Sequence, residues 1–138
     1  MRFLLCLVPL LLTVAAAGAE IPKDMQGRSI APVLKGETPA DWRTSMYYHY
    51  YEYPGAHSVR RHYGVRTGTH KLIYYYQEDE RELFDLSSDK NELKNLYSAP
   101  KQAARIKELK EELSRLRKHY KVPEGDPKPP PRKRRSGK

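Results

Sequence analysis

The stretch that decides the fold is residues 62–86, HYGVRTGTHKLIYYYQEDERELFDL. Two runs typical of β-strands, HYGVRT and HKLIYYY, flank Gly68-Thr69, a pair that favours a tight hairpin turn. The acidic stretch QEDE then separates them from RELFDL, Arg81 to Leu86, which has the composition of another short strand. Three strands joined by short turns predict an antiparallel arrangement.

A fourth strand is predicted before this stretch. Residues 46–53, MYYHYYEY, are rich in tyrosine and end at the Pro54-Gly55 turn. Side chains alternate along a strand, so Met46, Tyr48 and Tyr50 should face away from Tyr47 and His49. Because tyrosine can bury its ring while its hydroxyl stays hydrated, one face can pack under a helix and the other against a partner domain.

A long helix is predicted after the sheet. Its apolar residues recur at spacings of three and four over about five turns, which forms a single stripe. The stripe consists of Ile106, Leu109, Leu113, Leu116 and Tyr120. Ser98 is the expected N-cap, and Pro100 is expected in the first turn. The fold class is therefore α+β, a small antiparallel sheet of about four strands packed against a long C-terminal helix.

The N-terminal residues have the pattern of an export signal. Arg2 precedes an apolar run, and AGA at residues 17–19 offers the small residues that signal peptidase requires. We therefore expect residues 1–19 to be a signal peptide and the product to be secreted or periplasmic. The apolar run is shorter than the ~20 residues that span a bilayer, so no membrane span is expected.

The remaining chain divides by composition. Residues 20–44 are predicted to be a connector with a short helix around Ile30 that stops at Gly36, and residues 45–122 the sheet-and-helix unit. Residues 123–138 are rich in proline and basic residues, which predicts a disordered tail. Residues 121–138 contribute +5 of the formal net charge of +9. Such a tail can bind anionic polymers, but no specific nucleic acid partner is expected.

The composition excludes several kinds of site. The single cysteine, Cys6, lies in the signal segment, so thiolate metal sites, disulfides and a cysteine nucleophile are excluded from the rest. The five histidines lack the spacing of a helical zinc site, and GVRTGTHK lacks the spacing of a phosphate-binding loop. We therefore predict no catalytic residue and no metal site in this chain.

Basic residues and histidines gather after the Pro54-Gly55 turn. His57, Arg60, His62 and Arg66 are expected beside one loop, as at the rim of a site for an anionic group. A surface that stacks nucleic-acid bases would instead interleave basic and aromatic residues along a groove, which the strands do not do.

Four motifs together resemble a known family. They are DMQGRSIAPVLKGE, YYEYPGAHSVRRHYGVRTGTHKLIYYY, RELFDL and NELKNLY. Over about Ile21 to Pro123 the chain is similar to the C-terminal subdomain of sulfatases of the arylsulfatase and N-sulfoglucosamine sulfohydrolase type. The resemblance implies a four-stranded sheet on a helix that docks on a large catalytic domain. It also implies that His57 and Arg66 lie toward a sulfated substrate.

The sequence departs from complete sulfatases in its chemistry. The family uses a C/S-x-P-S-R motif and a calcium site, and the 138 residues contain no such motif. A truncated sulfatase subdomain without activity of its own, and without a cofactor, is therefore expected. The alternative is a stand-alone module that binds sulfated glycans. Arg81 stands where the family often has an aromatic residue, which predicts looser packing there.

Overall fold

The computed structural model describes residues 26–53 and 57–125, which belong to two compact units divided along the chain between Trp42 and Arg43. In the first unit, one helical turn, α1 (Ala31–Leu34), ends before Gly36. Gly36 has φ +83°, a conformation that glycine adopts at little cost. The short helix predicted around Ile30 is confirmed. The predicted signal peptide, and the tail from residue 126 onward, lie outside the described residues.

The second unit contains the sheet. Its strands are β1 (Ser45–Tyr50), β2 (His62–Thr67), β3 (His70–Tyr75) and β4 (Glu80–Asp85). They lie in the order β1-β2-β3-β4, and each is antiparallel to the next. The four predicted strands and the Gly68-Thr69 turn are therefore confirmed. β1 ends three residues earlier than predicted because the carbonyls of Tyr51 and Tyr53 accept hydrogen bonds from a side chain instead of a strand.

The long helix covers one face of the sheet. A 3-10 turn (Pro100–Gln102) leads into α2 (Ala103–His119). Leu109, Leu113 and Leu116 are buried in one cluster with side chains of β2, β3 and β4. Ile106 and Tyr120 pack at the margin of this cluster. The apolar stripe is thus confirmed as the core-facing side of the helix.

The start of the helix differs from the prediction. Ala99 precedes the 3-10 turn and Gln102 precedes α2, and neither side chain makes a capping hydrogen bond. The prediction of Ser98 as N-cap was wrong, because the 3-10 turn begins at Pro100 and leaves Ser98 one residue too early.

The opposite face of the sheet has its own aromatic layer. Tyr48 lies across Gly64, where an added Cβ would overlap the tyrosine hydroxyl and the Leu72 carbonyl oxygen. The His62 ring contacts the rings of Tyr48, Tyr50 and Tyr75. Alternation along β1 is confirmed, since Tyr47 packs on the helix side instead. Within residues 26–53 and 57–125, no helix has the length and apolar character needed to cross a bilayer.

Candidate functional site

The connection between β1 and β2 carries His57, and a buried arginine anchors it. Arg61 is only 2% exposed. Its Nε donates a hydrogen bond to the Tyr51 carbonyl over 2.8 Å, and its Nη2 donates to the Tyr53 carbonyl over 2.7 Å. The guanidinium thereby ties the first residues of the loop to its last residue. We call residues 51–53 and 57–61 the His57 loop.

A second arginine ties the same loop to the turn between β3 and β4. Arg60 donates to the Glu80 carboxylate over 2.5 Å and lies 4.1 Å from the centroid of the Tyr75 ring. The Tyr75 hydroxyl donates to Glu82 over 3.0 Å. Burial and this hydrogen bond raise the pKa of Tyr75 to about 12, so it stays a neutral donor at physiological pH. The end of the His57 loop is therefore held by packing and charge together.

Between these anchors the loop presents His57 to solvent. His57 and Ser58 are exposed, and Ser58 has φ +51°, a left-handed conformation that is uncommon for serine. His62, in contrast, is half-buried, and its Nδ1 lies 2.8 Å from the Arg60 carbonyl oxygen. Of the predicted cluster, His57 is the exposed imidazole, while Arg60 and His62 are engaged in holding the loop.

Arg66 lies at the other end of β2. It is exposed and pairs in register with Met46 on β1 and Lys71 on β3. Four residues separate it from His62, a distance of about 13 Å along a strand. The expectation that Arg66 lies beside the His57 loop was wrong, because the antiparallel register carries it to the Gly68-Thr69 turn. The predicted hairpin already implied this position, since Arg66 is only two residues before Gly68.

The structure also contains a groove that the sequence interpretation missed. It lies between the C-terminal half of α2 and the sheet, has a volume of about 930 Å³, and is partly closed by residues 121–125. Its basic lining residues are Arg81, Lys110, Arg117, Lys118 and Lys121. Those on or after the helix recur at spacings that place them on one helical face, so the signal was present in the sequence. We call this surface the basic groove.

Two tyrosines form part of the groove, and each carries an arginine. Arg117 donates to the Tyr63 hydroxyl over 2.8 Å and lies 4.4 Å from the ring centroid. Arg81 lies 4.3 Å from the centroid of the Tyr74 ring and forms an ion pair with Asp79. The Arg81 guanidinium therefore packs on a tyrosine ring, and looser packing at this position stays a prediction.

The electrostatics of the turn before β4 follow from these contacts. The Tyr74 hydroxyl donates to Asp79 over 3.0 Å, and this bond, with the charge of Arg81, lowers the pKa of Asp79. The carboxylate is therefore ionised at neutral pH and offsets part of the charge of Arg81. The turn before β4 therefore carries a negative charge at Asp79, whereas the basic groove is lined mainly by positive charges.

Calcium does not fit the described part of the chain. Among residues 26–53 and 57–125, no three acidic, histidine or cysteine side chains converge on a position that a metal ion could occupy. We therefore derive no step through a metal held by these residues.

Comparison with known proteins decides the family. The family model described as N-sulphoglucosamine sulphohydrolase, C-terminal, matches residues 7–119. The chain belongs to this family. Its sheet, helix and His57 loop are therefore elements of a sulfatase C-terminal subdomain.

Relatives within sulfatases are similar over most of this chain. The N-acetylglucosamine-6-O-sulfatase of Bacteroides thetaiotaomicron is 49% identical over 115 residues, which are 81% of this chain and 21% of that protein. A sulfatase of Formosa agariphila is 36% identical over 94 residues, 59% of this chain and 16% of that protein. This chain thus spans about a fifth or less of the length of these curated relatives.

A solved structure agrees with the fold. A protein in complex with its substrate D-glucosamine-2-N,6-O-disulfate superposes with a TM-score of 0.75 and 46% identity. The match covers 80% of this chain and 23% of that protein. The similarity therefore lies in one subdomain of a larger enzyme.

Proposed function

We propose that this chain is the substrate-side subdomain of a sulfatase and presents His57 to a sulfated sugar. The observation that carries the proposal is the His57 loop itself. Its imidazole is exposed, while Arg60 and Arg61 hold the chain on either side through an ion pair and two backbone hydrogen bonds. A loop that is fixed at its base and exposed at a histidine is suited to positioning one donor against an anionic ligand.

The substrate class that we propose is a sulfated glucosamine. The 49% identical relative is an N-acetylglucosamine-6-O-sulfatase, and the structure with 46% identity is a complex with D-glucosamine-2-N,6-O-disulfate. An imidazole can donate a hydrogen bond to a sulfate or hydroxyl oxygen in its neutral form and adds a positive charge when protonated.

The chemistry itself is proposed to come from a catalytic domain. Sulfate-ester cleavage requires a nucleophile and a cation that holds the sulfate oxygens. In our proposal this chain supplies binding, and the partner domain supplies the formylglycine and the calcium. The chain alone should therefore not hydrolyse an aryl sulfate.

Arg66 is proposed to contact a different anionic group from His57. The two residues lie toward opposite ends of β2, so one sulfate cannot reach both. Exposure of the guanidinium still allows it to meet a second charged group on a substrate or on the catalytic domain.

A chimeric enzyme tests the proposal. Residues 20–123 replace the matching C-terminal segment of the Bacteroides thetaiotaomicron relative, and hydrolysis of N-acetylglucosamine-6-sulfate is measured. We expect activity, and we expect His57→Ala to lower kcat/KM roughly 10- to 100-fold, the size of one lost charge-assisted hydrogen bond. Lys107→Ala, an exposed change on the helix, is the matched control. Wild-type kcat/KM in the His57→Ala chimera would refute the role of the loop.

The second candidate is a stand-alone module that binds sulfated glycans. The observation in its favour is that the sheet and α2 share a core of their own. Retention of the isolated full chain on a heparin column at physiological salt, with an inactive chimera, would favour this candidate over the sulfatase subdomain. Export is tested separately: N-terminal sequencing of the mature protein should give Glu20 as its first residue.

A further inference from the structure

The basic groove holds the charge excess of the described fold. Residues 26–125 contain eighteen Lys and Arg and fourteen Asp and Glu. The groove alone is lined by five basic residues and one acidic residue, Glu124. The excess of four in the groove equals the excess of residues 26–125, although Asp79 beside the groove offsets part of the charge of Arg81. Positive potential is thus concentrated in one concave surface.

Two of the groove's cations are held in place before any ligand arrives. Tyr63 and Tyr74 are paired across β2 and β3, and Arg117 and Arg81 stack on their rings. A stacked guanidinium is planar and retains N–H groups that can point at an anion in a bidentate manner. Arg117 uses its Nη1 for the Tyr63 hydroxyl and is one of the residues that line the groove.

The rim of the groove is formed by an unusual end of the helix. The Lys121 N–H donates to the Lys118 carbonyl over 3.1 Å, and the Val122 N–H donates to the Arg117 carbonyl over 2.9 Å. This is the Schellman pattern, in which the residue after the cap is usually glycine. Here that residue is Lys121, with φ +52°. The backbone turns residues 122–125 back along the groove, and a lysine occupies the turn.

The groove and the His57 loop are at the same end of the sheet. Tyr63 is the second residue of β2, Tyr74 the fifth of β3 and Arg81 the second of β4. The His57 loop and the turn between β3 and β4 lie at this end, and the Arg60–Glu80 ion pair joins them. The groove lies on the helix-covered face with Tyr63 and Tyr74, whereas Arg60 stacks on Tyr75, which points to the opposite face.

We propose that the basic groove is a second anion-binding site, which takes a further sulfated or carboxylated unit of an oligosaccharide. This proposal rests on the proposed function for its ligand class. Stacking of nucleic-acid bases does not suit the groove, because guanidinium groups already cover the rings of Tyr63 and Tyr74. In this proposal Arg81, Arg117, Lys118 and Lys121 bind the anionic groups of that unit.

The test compares two charge-matched double variants of the full chain by isothermal titration with a heparin-derived hexasaccharide in 150 mM salt. Lys118→Gln with Lys121→Gln removes two exposed charges of the groove, and Lys101→Gln with Lys107→Gln removes two exposed charges outside it. Both variants keep the basic tail. We expect the groove variant to raise Kd roughly tenfold and the control to change it less than about twofold.

Equal weakening by the two variants would mean diffuse attraction and would overturn the site, as would unchanged binding in both. Binding of a dodecathymidylate with the same or higher affinity than the hexasaccharide would overturn the ligand class. Circular dichroism confirms that both variants fold, which is expected because all four lysines are exposed.

The outcome is independent of the test in the previous section. The chimera assay with N-acetylglucosamine-6-sulfate concerns a single sugar at His57, which the groove does not contact in this proposal. An inactive chimera with a tenfold effect in the groove variant would reject the sulfatase role and retain the groove. An active chimera with no effect of the groove variant would do the reverse.

Discussion

Replacement of Arg61 should release the His57 loop while the sheet remains folded. The guanidinium is buried, and its two hydrogen bonds to the Tyr51 and Tyr53 carbonyls are both charge-assisted. Such bonds contribute roughly 1.5–3 kcal/mol each. Arg61→Met keeps the apolar stem, avoids the cost of burying a charge, and leaves two carbonyls that water can reach because Tyr51 and Tyr53 are exposed. We therefore expect a net loss of about 2–4 kcal/mol in the free energy of unfolding.

Two measurements on the full chain separate loop release from general damage. Urea unfolding followed by tyrosine fluorescence gives the change in free energy, and amide hydrogen exchange gives the protection of each segment. Arg61→Met should lower protection first in residues 57–61 and only later in β3 and β4. Arg61→Lys retains the positive charge but not the planar, forked donor group of the guanidinium. Its free energy of unfolding should therefore lie between those of wild type and Arg61→Met.

The control is Arg66→Met, which removes an exposed arginine from β2, the strand that follows Arg61. It should change the free energy of unfolding by less than about 0.5 kcal/mol. The anchoring role of Arg61 would be refuted if Arg61→Met unfolded at the same urea concentration as Arg66→Met. It would also be refuted if amide protection fell in β4 before it fell in the His57 loop.

Three further predictions concern the sheet, the helix end and pH. Gly64→Ala should destabilise the fold by about 2–4 kcal/mol in urea unfolding, because its Cβ would overlap a β3 carbonyl and the Tyr48 hydroxyl; a change under about 0.5 kcal/mol would contradict this. Lys121→Gly should stabilise it by about 1 kcal/mol through relief of a positive φ, seen as a higher Tm, while weakening hexasaccharide binding; a lower Tm would count against the strain. The hydrogen bond from Arg115, with one from Ser45, lowers the pKa of Glu112. Its contribution to stability is therefore complete above the unfolded value of about 4.3 and is lost as pH falls through the lower folded value. A plot of Tm against pH should drop more steeply on acidification than that of Glu112→Gln, and parallel plots would disprove the coupling.

The fold was predictable because each element carries a local signal. Alternation in residues 62–86 and the Gly68-Thr69 turn define the hairpin, and the leucines of α2 define the buried side of the helix. Element ends were less predictable. β1 ends at Tyr50 because the Arg61 side chain donates hydrogen bonds to the carbonyls of Tyr51 and Tyr53. Tyr51 lies ten positions from Arg61, and such a contact leaves no periodic pattern in the sequence.

The site was predictable in part. His57 is exposed, but whether it contacts a substrate stays a prediction. Arg66 was grouped with it by nearness in sequence, although a strand moves a residue about 3.4 Å further with each step. The basic groove was missed because Arg81 joins α2 only through tertiary packing, while the helical spacing of Lys110, Arg117 and Lys121 was open to inspection.

The order of the strands has a consequence for how the chain folds. Every strand pairs with its neighbour in sequence, and the connections are two residues between β2 and β3 and four between β3 and β4. Contacts of short sequence separation form quickly, so β2, β3 and β4 should form the earliest structure. The eleven residues from Tyr51 to Arg61 make closure of β1 the slowest pairing, at an entropic cost about 1 kcal/mol above that of a four-residue turn. β1, which is joined to the sheet through the segment that carries His57, should therefore be the last strand to pair during folding.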